Sequence, residues 1–213
     1  MEYMNQKNGK NSLGLDSCFE DLDNPIELFK NWFSKAEEKE INDPNAVAIA
    51  TSDKHNQPNV RMVLLKDLSD RGFVFYTNFN SKKGGELKIN LKASMCFHWK
   101  SLRRQVRVIG KVEEVTSKEA DDYYNSRPYK NRISAWASSQ SQILDKRETF
   151  LNKIKEYEKK YPDENNVPRP THWSGWRLLP DEIEFWVDGE GRIHERLNYK
   201  KFNEKWIKEL LYP

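Results

Sequence analysis

Short apolar runs rich in β-branched and aromatic residues dominate the chain between residues 46 and 115. The runs are AVAIAT, NVRMVLLKD, GFVFYTN, ASMCFHW and RRQVRVIGKVEEV, and turn-forming segments such as HNQPN and SDRG separate the early ones. In the last run, Val106, Val108 and Val112 alternate with polar residues, a pattern typical of a strand with one solvated face. We therefore predict an antiparallel meander that forms a barrel or a strongly curled sheet.

Three capping signatures predict helices beside this sheet. They are Asn24-Pro25 with Glu27, Thr116 with Glu119, and Asp145 with Glu148. The first helix is expected to be amphipathic and to run to about Glu40, because apolar residues recur at helical spacing after its start. The third helix is expected to be long and charged and to end near Lys160.

The C-terminal part of the chain returns to strand patterns after the loop PDENNVPRP. HWSGWRLLP, DEIEFWVDG and GRIHERLNY are predicted to be strands, with DGEG as a tight hairpin turn. At the other end, residues 1–23 are polar and show no period, so we predict a mobile N-terminal arm. A chain of 213 residues suffices for one well-buried core, and residues 24–213 are therefore expected to form a single domain.

Composition limits the classes of function. The formal net charge of +3 arises from 36 basic and 33 acidic residues, which is far from the balance of a dedicated DNA-binding domain. Cys18 and Cys96 lie far apart without zinc-site spacing, so neither a metal site nor a disulfide is predicted. No apolar run approaches the ~18 residues needed to cross a bilayer. We expect a cytoplasmic protein with no membrane or nucleic-acid partner.

Candidate chemistry lies in cations at strand positions, since the chain has neither a GxGxxG nor a P-loop motif. In RMVLLK, Arg61 and Lys66 flank an apolar strand on opposite faces, which suits a flat apolar ring that ends in a phosphate. In GRIHER, strand alternation places Arg192, His194 and Arg196 on one face. That face is either a site for an anion or the charged outer side of an edge strand.

An ordered series of motifs resembles the pyridoxamine 5′-phosphate oxidase family. The motifs are RMVLLK, FYTN, SKKGGEL, RRQVRVIGKVE, YYNSRP, WASSQS and FWVDGEGRIHER, and the similarity extends from about Asn24 to Pro213. The resemblance implies a mainly β fold with flanking helices, a split β-barrel that binds FMN, and a homodimer with FMN at the subunit interface. It also implies oxidation of pyridoxamine or pyridoxine 5′-phosphate to pyridoxal 5′-phosphate, with oxygen as acceptor and hydrogen peroxide as product.

The resemblance further implies a set of contact residues. Those implied for FMN are Arg61, Met62, Val63, Leu64, Leu65, Lys66, Tyr76, Thr77, Lys82, Lys83, Gln105, Gln140, Ser141, Trp186 and Arg196. Those implied for the substrate are Lys66, Tyr123, Arg127 and Asn131 around its phosphate, with Arg192 and His194 as catalytic residues over its pyridine ring.

The chain departs from the family pattern at two of these positions. Lys82 stands where arginine is frequent, and Asn131 stands where serine is more usual. The N-terminal arm also lacks the Arg-Arg-x-Tyr-like segment that some members fold over the substrate. Three other interpretations stay open: a split-barrel FMN protein with a different substrate or an electron-carrier role, a small β-barrel that binds single-stranded nucleic acid through tryptophan and arginine, and a flavin-binding fold that has lost catalysis.

Overall fold

The computed structural model describes residues 12–213, whose strands form one nine-stranded sheet with every pairing antiparallel. In chain order the elements are α1 (Pro25–Lys39), β1 (Ala46–Ser52), β2 (Pro58–Leu64), β3 (Asp67–Ser69), β4 (Gly72–Asn78), α2 (Lys82–Ile89), β5 (Lys92–Trp99), β6 (Arg104–Glu114), α3 (Ser117–Ser126), α4 (Tyr129–Ala137), α5 (Arg147–Lys160), β7 (Trp173–Val187), β8 (Glu195–Phe202) and β9 (Lys205–Leu210). Short 3₁₀ turns lie at Lys100–Leu102 and Glu190–Arg192.

The long strand β7 organises the sheet. It pairs with β6 along nearly its whole length, with β4 through its first half, and with β8 through its second half. The register between β6 and β7 shifts at Gly110, where an added Cβ would lie 1.9 Å from the carbonyl oxygen of Leu179, so only glycine fits this bulge. The sheet is thereby a split β-barrel, and the predicted fold class is confirmed. The predicted simple meander is corrected, because β5 pairs with β1 and not with β4.

Helix α1 closes the barrel and carries much of its core. The side chain of Asn24 accepts a hydrogen bond from the Ile26 amide at 2.9 Å, which satisfies an otherwise unpaired N–H group at the helix start. Phe29 and Trp32 are fully buried, and the Phe29 ring lies 4.9 Å from the ring of Phe73. Burial of each such aromatic side chain contributes about 2–3 kcal/mol to folding. The predicted first helix is confirmed.

The segment from residue 12 to residue 23 packs against this core. Phe19 is fully buried and its ring lies 5.4 Å from that of Trp32, whose indole N–H donates to the Cys18 carbonyl oxygen at 2.8 Å. Tyr199 Oη donates to the carbonyl oxygen of Leu22 at 2.8 Å. The prediction of a mobile arm is therefore wrong for residues 12–23, because a few aperiodic apolar side chains anchor this polar stretch. Residues 1–11 of the predicted arm lie outside the described residues.

Several predicted boundaries differ from the observed ones. Helices α2 and α4 and strand β9 were not expected, and the two predicted strands before Asp188 are one strand, β7. Helix α5 begins at Arg147 with Lys146 as its N-cap residue, so the predicted capping box of Asp145 and Glu148 is wrong. The capping box of Thr116 and Glu119 is confirmed at the start of α3. Among residues 12–213, no helix is long and apolar enough to cross a membrane.

A buried arginine ties α3 to the sheet. Arg177 on β7 is 2% exposed, and its guanidinium lies 2.5 Å from a carboxylate oxygen of Glu119 and 3.3 Å from one of Glu113. The hydrogen bond from Arg177, with a second from the Thr116 amide, lowers the pKa of Glu119 from 4.5 to about 2. This carboxylate therefore stabilises the fold at neutral pH.

We expect Glu119→Gln to reduce the free energy of unfolding at pH 7 by about 1–2 kcal/mol, after allowance for solvent screening of a partly exposed group. Because the folded-state pKa of Glu119 is lowered, its contribution is complete above about pH 4.5 and is lost as the pH falls toward 2. Urea unfolding at pH 7 and pH 3 should thus show a smaller difference between variant and wild type at pH 3. Asp122→Asn on the same helix, which removes an exposed pair with Lys118, is the control and should change stability by less than about 0.5 kcal/mol. A difference for Glu119→Gln that is equal at both pH values would contradict this account.

Candidate active site

A cavity of about 800 Å³ lies between β2, β4, the start of α2 and the helices α3 and α4. Many of the predicted contact residues line it, namely Arg61, Met62, Val63, Leu64, Lys66, Tyr76, Thr77, Lys82, Lys83, Tyr123, Arg127, Gln140 and Ser141. Leu65 is 5% exposed and belongs to the core. The sequence motifs RMVLLK, FYTN, SKKGGEL, YYNSRP and WASSQS thus meet in one place.

The first cationic group of the cavity lies at the start of α2. Lys83 is 9% exposed, and its Nζ lies 3.1 Å from the side-chain oxygen of Gln140. Burial and, next, the nearby charge of Arg61 lower the pKa of Lys83 to about 8. Ser81 is the N-cap residue of α2, and its hydroxyl accepts from the Gly84 amide. The first N–H groups of the helix add partial positive charge here. A buried ammonium at a helix N-terminus favours an anionic ligand.

Arg61 is held in place by side chains that sequence reasoning missed. Its guanidinium lies 2.5 Å from Thr51 Oγ1 and 3.3 Å from a carboxylate oxygen of Glu86, which is 4% exposed. Asn59 donates to the other oxygen of Glu86 at 2.7 Å and accepts from Lys82 Nζ at 3.0 Å. A helix prediction for residues 82–89 would have found Glu86, because it shares the buried helix face with Lys83.

A second cationic group borders an aromatic stack. The rings of Tyr76 and Tyr123 stack at 4.1 Å, and Trp173 stacks on Tyr76 at 5.5 Å. The guanidinium of Arg127 lies 4.7 Å from the centre of the Trp173 ring, and its buried Nη1 has no hydrogen-bond partner among the described residues. A buried donor without a partner favours a ligand that accepts hydrogen bonds. Lys66 Nζ lies 6.0 Å from the Tyr123 ring and extends this positive region.

Strand β2 adds an apolar surface to the same cavity. Val60, Met62 and Leu64 alternate along its open face and are 70%, 62% and 38% exposed. Arg61 and Lys66 are five positions apart, which corresponds to roughly 16 Å along an extended chain. The arrangement suits flat apolar rings that carry anionic groups.

A further group of predicted residues lies at the other end of the sheet. Trp186 pairs with Gln105 on β6 and with Arg196 on β8, and its ring lies 4.7 Å from that of His194. Trp186 comes thirteen positions after Trp173 on β7, which is up to roughly 40 Å along a straight strand. Of the described residues, those in this second group are absent from the lining of the cavity.

The predicted strand through GRIHER is corrected by the structure. Gly191 and Arg192 have φ values of +63° and +65°, and the 3₁₀ turn that they help form ends at Arg192, so β8 begins only at Glu195. Arg192, His194 and Arg196 therefore do not project from one strand face. Arg192 instead lies exposed in the loop between β7 and β8. Alternation was misleading here because it applies only to an uninterrupted strand.

Arg196 has a buried partner that the sequence did not reveal. Its Nε and Nη2 atoms each lie 2.7 Å from Glu184 Oε1, and its Nη1 donates to the Tyr212 carbonyl oxygen at 2.9 Å. Glu184 is 3% exposed and also lies 3.3 Å from Arg107, its cross-strand neighbour. Glu184 thus orients the Arg196 guanidinium.

On α4 the residue that lines the cavity differs from the predicted one. Asn131, predicted to contact the substrate phosphate, is exposed and, among the described residues, is not one that lines the cavity. Ser134, one turn further along the helix, does line it. The one-turn spacing was visible in the sequence, but the helix itself was not predicted.

The fold and the cavity define a split-barrel protein whose candidate site combines cationic groups with an apolar surface. Residues 33–161 match the family model described as pyridoxamine 5′-phosphate oxidase, and residues 173–213 match the one described as pyridoxine 5′-phosphate oxidase C-terminal dimerisation region. The chain belongs to the pyridoxamine 5′-phosphate oxidase family.

Relatives and solved structures agree with this assignment. The chain is 61% identical to the pyridoxine/pyridoxamine 5′-phosphate oxidase of Pelagibacter ubique over 207 residues. The aligned region covers 97% of this chain and 100% of the relative. The chain is 50% identical over 206 residues to the enzyme of the same name from Bartonella henselae, with 95% and 99% covered. PhzG from Burkholderia lata, solved in complex with tetrahydrophenazine-1-carboxylic acid, has a TM-score of 0.87 at 28% identity, with 96% and 100% covered. A pyridoxamine 5′-phosphate oxidase-related, FMN-binding protein from Nostoc punctiforme shares the fold with a TM-score of 0.70 at 16% identity, with 87% and 97% covered.

Proposed function

We propose that this protein is an FMN-dependent oxidase that converts pyridoxamine or pyridoxine 5′-phosphate to pyridoxal 5′-phosphate, with oxygen as acceptor and hydrogen peroxide as product. The observation that carries the proposal is one cavity that combines two cationic groups, one around Lys83 and one around Arg127, with an apolar strand face. Two phosphorylated planar molecules, cofactor and substrate, match two such groups.

The first cationic group fits the FMN phosphate. Arg61, Lys82 and Lys83 offer three positive charges there, and the buried Lys83 ammonium gains an anionic partner. The exposed apolar face of β2 fits one side of the isoalloxazine ring, and Gln140 can donate and accept hydrogen bonds at a ring edge. When bound, the flavin supplies the two-electron acceptor that no side chain can provide.

The second cationic group fits the substrate phosphate. Arg127 is aligned on the Trp173 ring and has an unpaired Nη1 atom, while Lys66 and Tyr123 contribute a charge and a hydroxyl. Anchoring the phosphate fixes the far end of the substrate and so orients the carbon that is oxidised, an effect worth several kcal/mol. Asn131, although exposed and outside the lining of the cavity, stays in this proposal as a contact of the substrate phosphate.

The predicted residues that do not line the cavity, those near Trp186, complete the site from a partner subunit. Gln105, Trp186 and Arg196 act on FMN, and Arg192 and His194 act on the pyridine ring. These residues are absent from the lining of the cavity in the described part of the chain, which supports their contribution from a second subunit. Exposed apolar residues on β8 and β9, such as Phe202, Ile207 and Leu210, also favour a homodimer contact in the region matched by the dimerisation model.

The free thiols of Cys18 and Cys96 support a reducing, cytoplasmic compartment.

The decisive experiment mixes purified protein, FMN and pyridoxamine 5′-phosphate in air and follows the aldehyde product and peroxide together. We expect both products in equal amounts, and none when FMN is omitted from flavin-free protein. Flavin binding without turnover would instead favour a split-barrel oxidoreductase with another substrate. Colourless protein that ignores FMN and binds oligonucleotides with a steep salt dependence would favour the nucleic-acid interpretation.

A further inference from the structure

The loop between β7 and β8 is held by a carboxylate with two partners. Asp188 Oδ2 accepts from Arg103 Nε at 2.9 Å and from Arg103 Nη2 at 2.6 Å. The Asp188 amide also donates to the Arg103 carbonyl oxygen at 3.0 Å. The hydrogen bonds from Arg103 lower the pKa of Asp188, so this side chain is an anion at neutral pH and can only accept hydrogen bonds.

The other carboxylate oxygen of Asp188 faces a histidine. Asp188 Oδ1 lies 3.2 Å from His194 Nδ1, while the His194 ring packs against Trp186 at 4.7 Å with 22% of the side chain exposed. With Nδ1 directed toward the protein, the opposite ring nitrogen, Nε2, is the one left for a ligand. Oriented imidazoles of this kind owe their tautomer to the hydrogen bond made by the inner nitrogen.

We propose that Asp188 is a positioning residue that keeps the proton of neutral His194 on Nδ1 and so leaves Nε2 as a hydrogen-bond acceptor toward the substrate. The proposal rests on the proposed function, in which His194 contacts the substrate. The acceptor fits the amine or hydroxyl group next to the carbon that is oxidised, because both groups carry a hydrogen that Nε2 can accept. Asp188 itself does not touch the substrate.

A second contact at His194 Nδ1 bears on which ring nitrogen carries the proton. The Gly189 amide donates a hydrogen bond to His194 Nδ1 at 3.2 Å, which favours the opposite tautomer, with the proton on Nε2. The Asp188 oxygen lies at ion-pair distance from the same nitrogen but outside hydrogen-bond alignment. A carboxylate oxygen 3.2 Å from Nδ1 repels a lone pair on that nitrogen, and a hydrogen bond to a full negative charge is roughly twice as strong as one between neutral groups. We therefore expect the ring to turn so that Nδ1–H donates to Asp188 and the amide contact is given up. The bidentate Arg103 contact keeps Asp188 fixed in the position that this requires.

The tautomer can be measured directly in the wild-type FMN-loaded protein. Long-range ¹H–¹⁵N correlations on ¹⁵N-histidine-labelled protein distinguish Nδ1–H from Nε2–H, and loss of one signal set in His194→Gln assigns it among the 4 histidines. We expect His194 to carry its proton on Nδ1 in the wild type and to move toward Nε2–H in Asp188→Asn. A wild-type Nε2–H tautomer would overturn the proposal, and that result needs no variant at position 188.

Kinetics provide the second test. Asp188→Asn should lower kcat/KM about tenfold without changing the Kd for FMN, and the double variant with His194→Gln should be no slower than His194→Gln alone. Glu190→Gln removes an exposed carboxylate from the same loop and should leave the rate unchanged. If His194→Gln is slow but Asp188→Asn stays within twofold of wild type, the positioning role fails while the proposed function stands. If His194→Gln is itself fully active, the substrate contact assigned to His194 under the proposed function fails.

Discussion

Arg127→Met and Arg192→Leu are each expected to lower kcat/KM by at least 100-fold, and a mixture of the two variants is expected to recover about a quarter of wild-type activity. Each loss corresponds to about 2.7 kcal/mol of transition-state stabilisation. Arg127 lines the cavity, whereas Arg192 lies in the loop between β7 and β8 and does not line it. If each site combines the cavity of one subunit with the loop of the other, a heterodimer of the two variants contains one intact site and one doubly altered site. Random assortment makes half of the dimers heterodimers, which gives the factor of about one quarter.

The control for this experiment uses two variants from the same group of residues. Lys66→Met combined with Arg127→Met changes the cavity in both subunits, so no site is intact and no activity should return. Co-expression with two affinity tags isolates the heterodimer and removes any doubt about subunit exchange. Absence of recovery in the Arg127→Met and Arg192→Leu heterodimer, with FMN still bound, would mean that each subunit forms its site alone.

The outcome of the sequence predictions follows from the range of the interactions involved. Alternation along β2 and the start of α1 at Asn24 and Pro25 are local properties, and both predictions hold in the structure, although Glu27 does not complete the predicted capping box. The loop containing Arg192 was mistaken for strand because two successive residues with positive φ interrupt the alternation, and only one of them is glycine. Local sequence carries little information on such a turn.

The supporting acids of the site were beyond the reach of sequence patterns. Glu86 on α2 is buried beside Arg61 of β2, and Glu184 on β7 is buried beside Arg107 of β6 and Arg196 of β8. A buried carboxylate without such partners would be strongly unfavourable, so its position can be read only from the tertiary structure. The cationic residues were easier to find because the family motifs contain them.

Lys83→Met is expected to weaken FMN binding about thirtyfold and, at the same time, to stabilise the flavin-free protein. Loss of one charge-assisted hydrogen bond to the phosphate corresponds to about 2 kcal/mol, hence the factor of thirty in Kd. In the flavin-free state the Lys83 ammonium is 9% exposed and its pKa is lowered to about 8, mainly by burial. Folding therefore includes an unfavourable desolvation that methionine, of similar shape, avoids. Fluorescence titration with FMN and thermal unfolding of the flavin-free protein measure the two effects.

The pH dependence separates Lys83 from the other cations of the cavity. Because its folded-state pKa of about 8 lies below the ordinary value of 10.5, the folded flavin-free protein binds fewer protons than the unfolded chain between these pH values, and its stability should rise with pH across that window. FMN affinity should fall over the same range, since the phosphate favours the protonated lysine. Lys83→Met should lose both trends, whereas Lys88→Met, an exposed change on the same helix, should keep them. Equal pH dependence of FMN affinity in Lys83→Met and wild type would assign the phosphate contact to Arg61 and Lys82 alone.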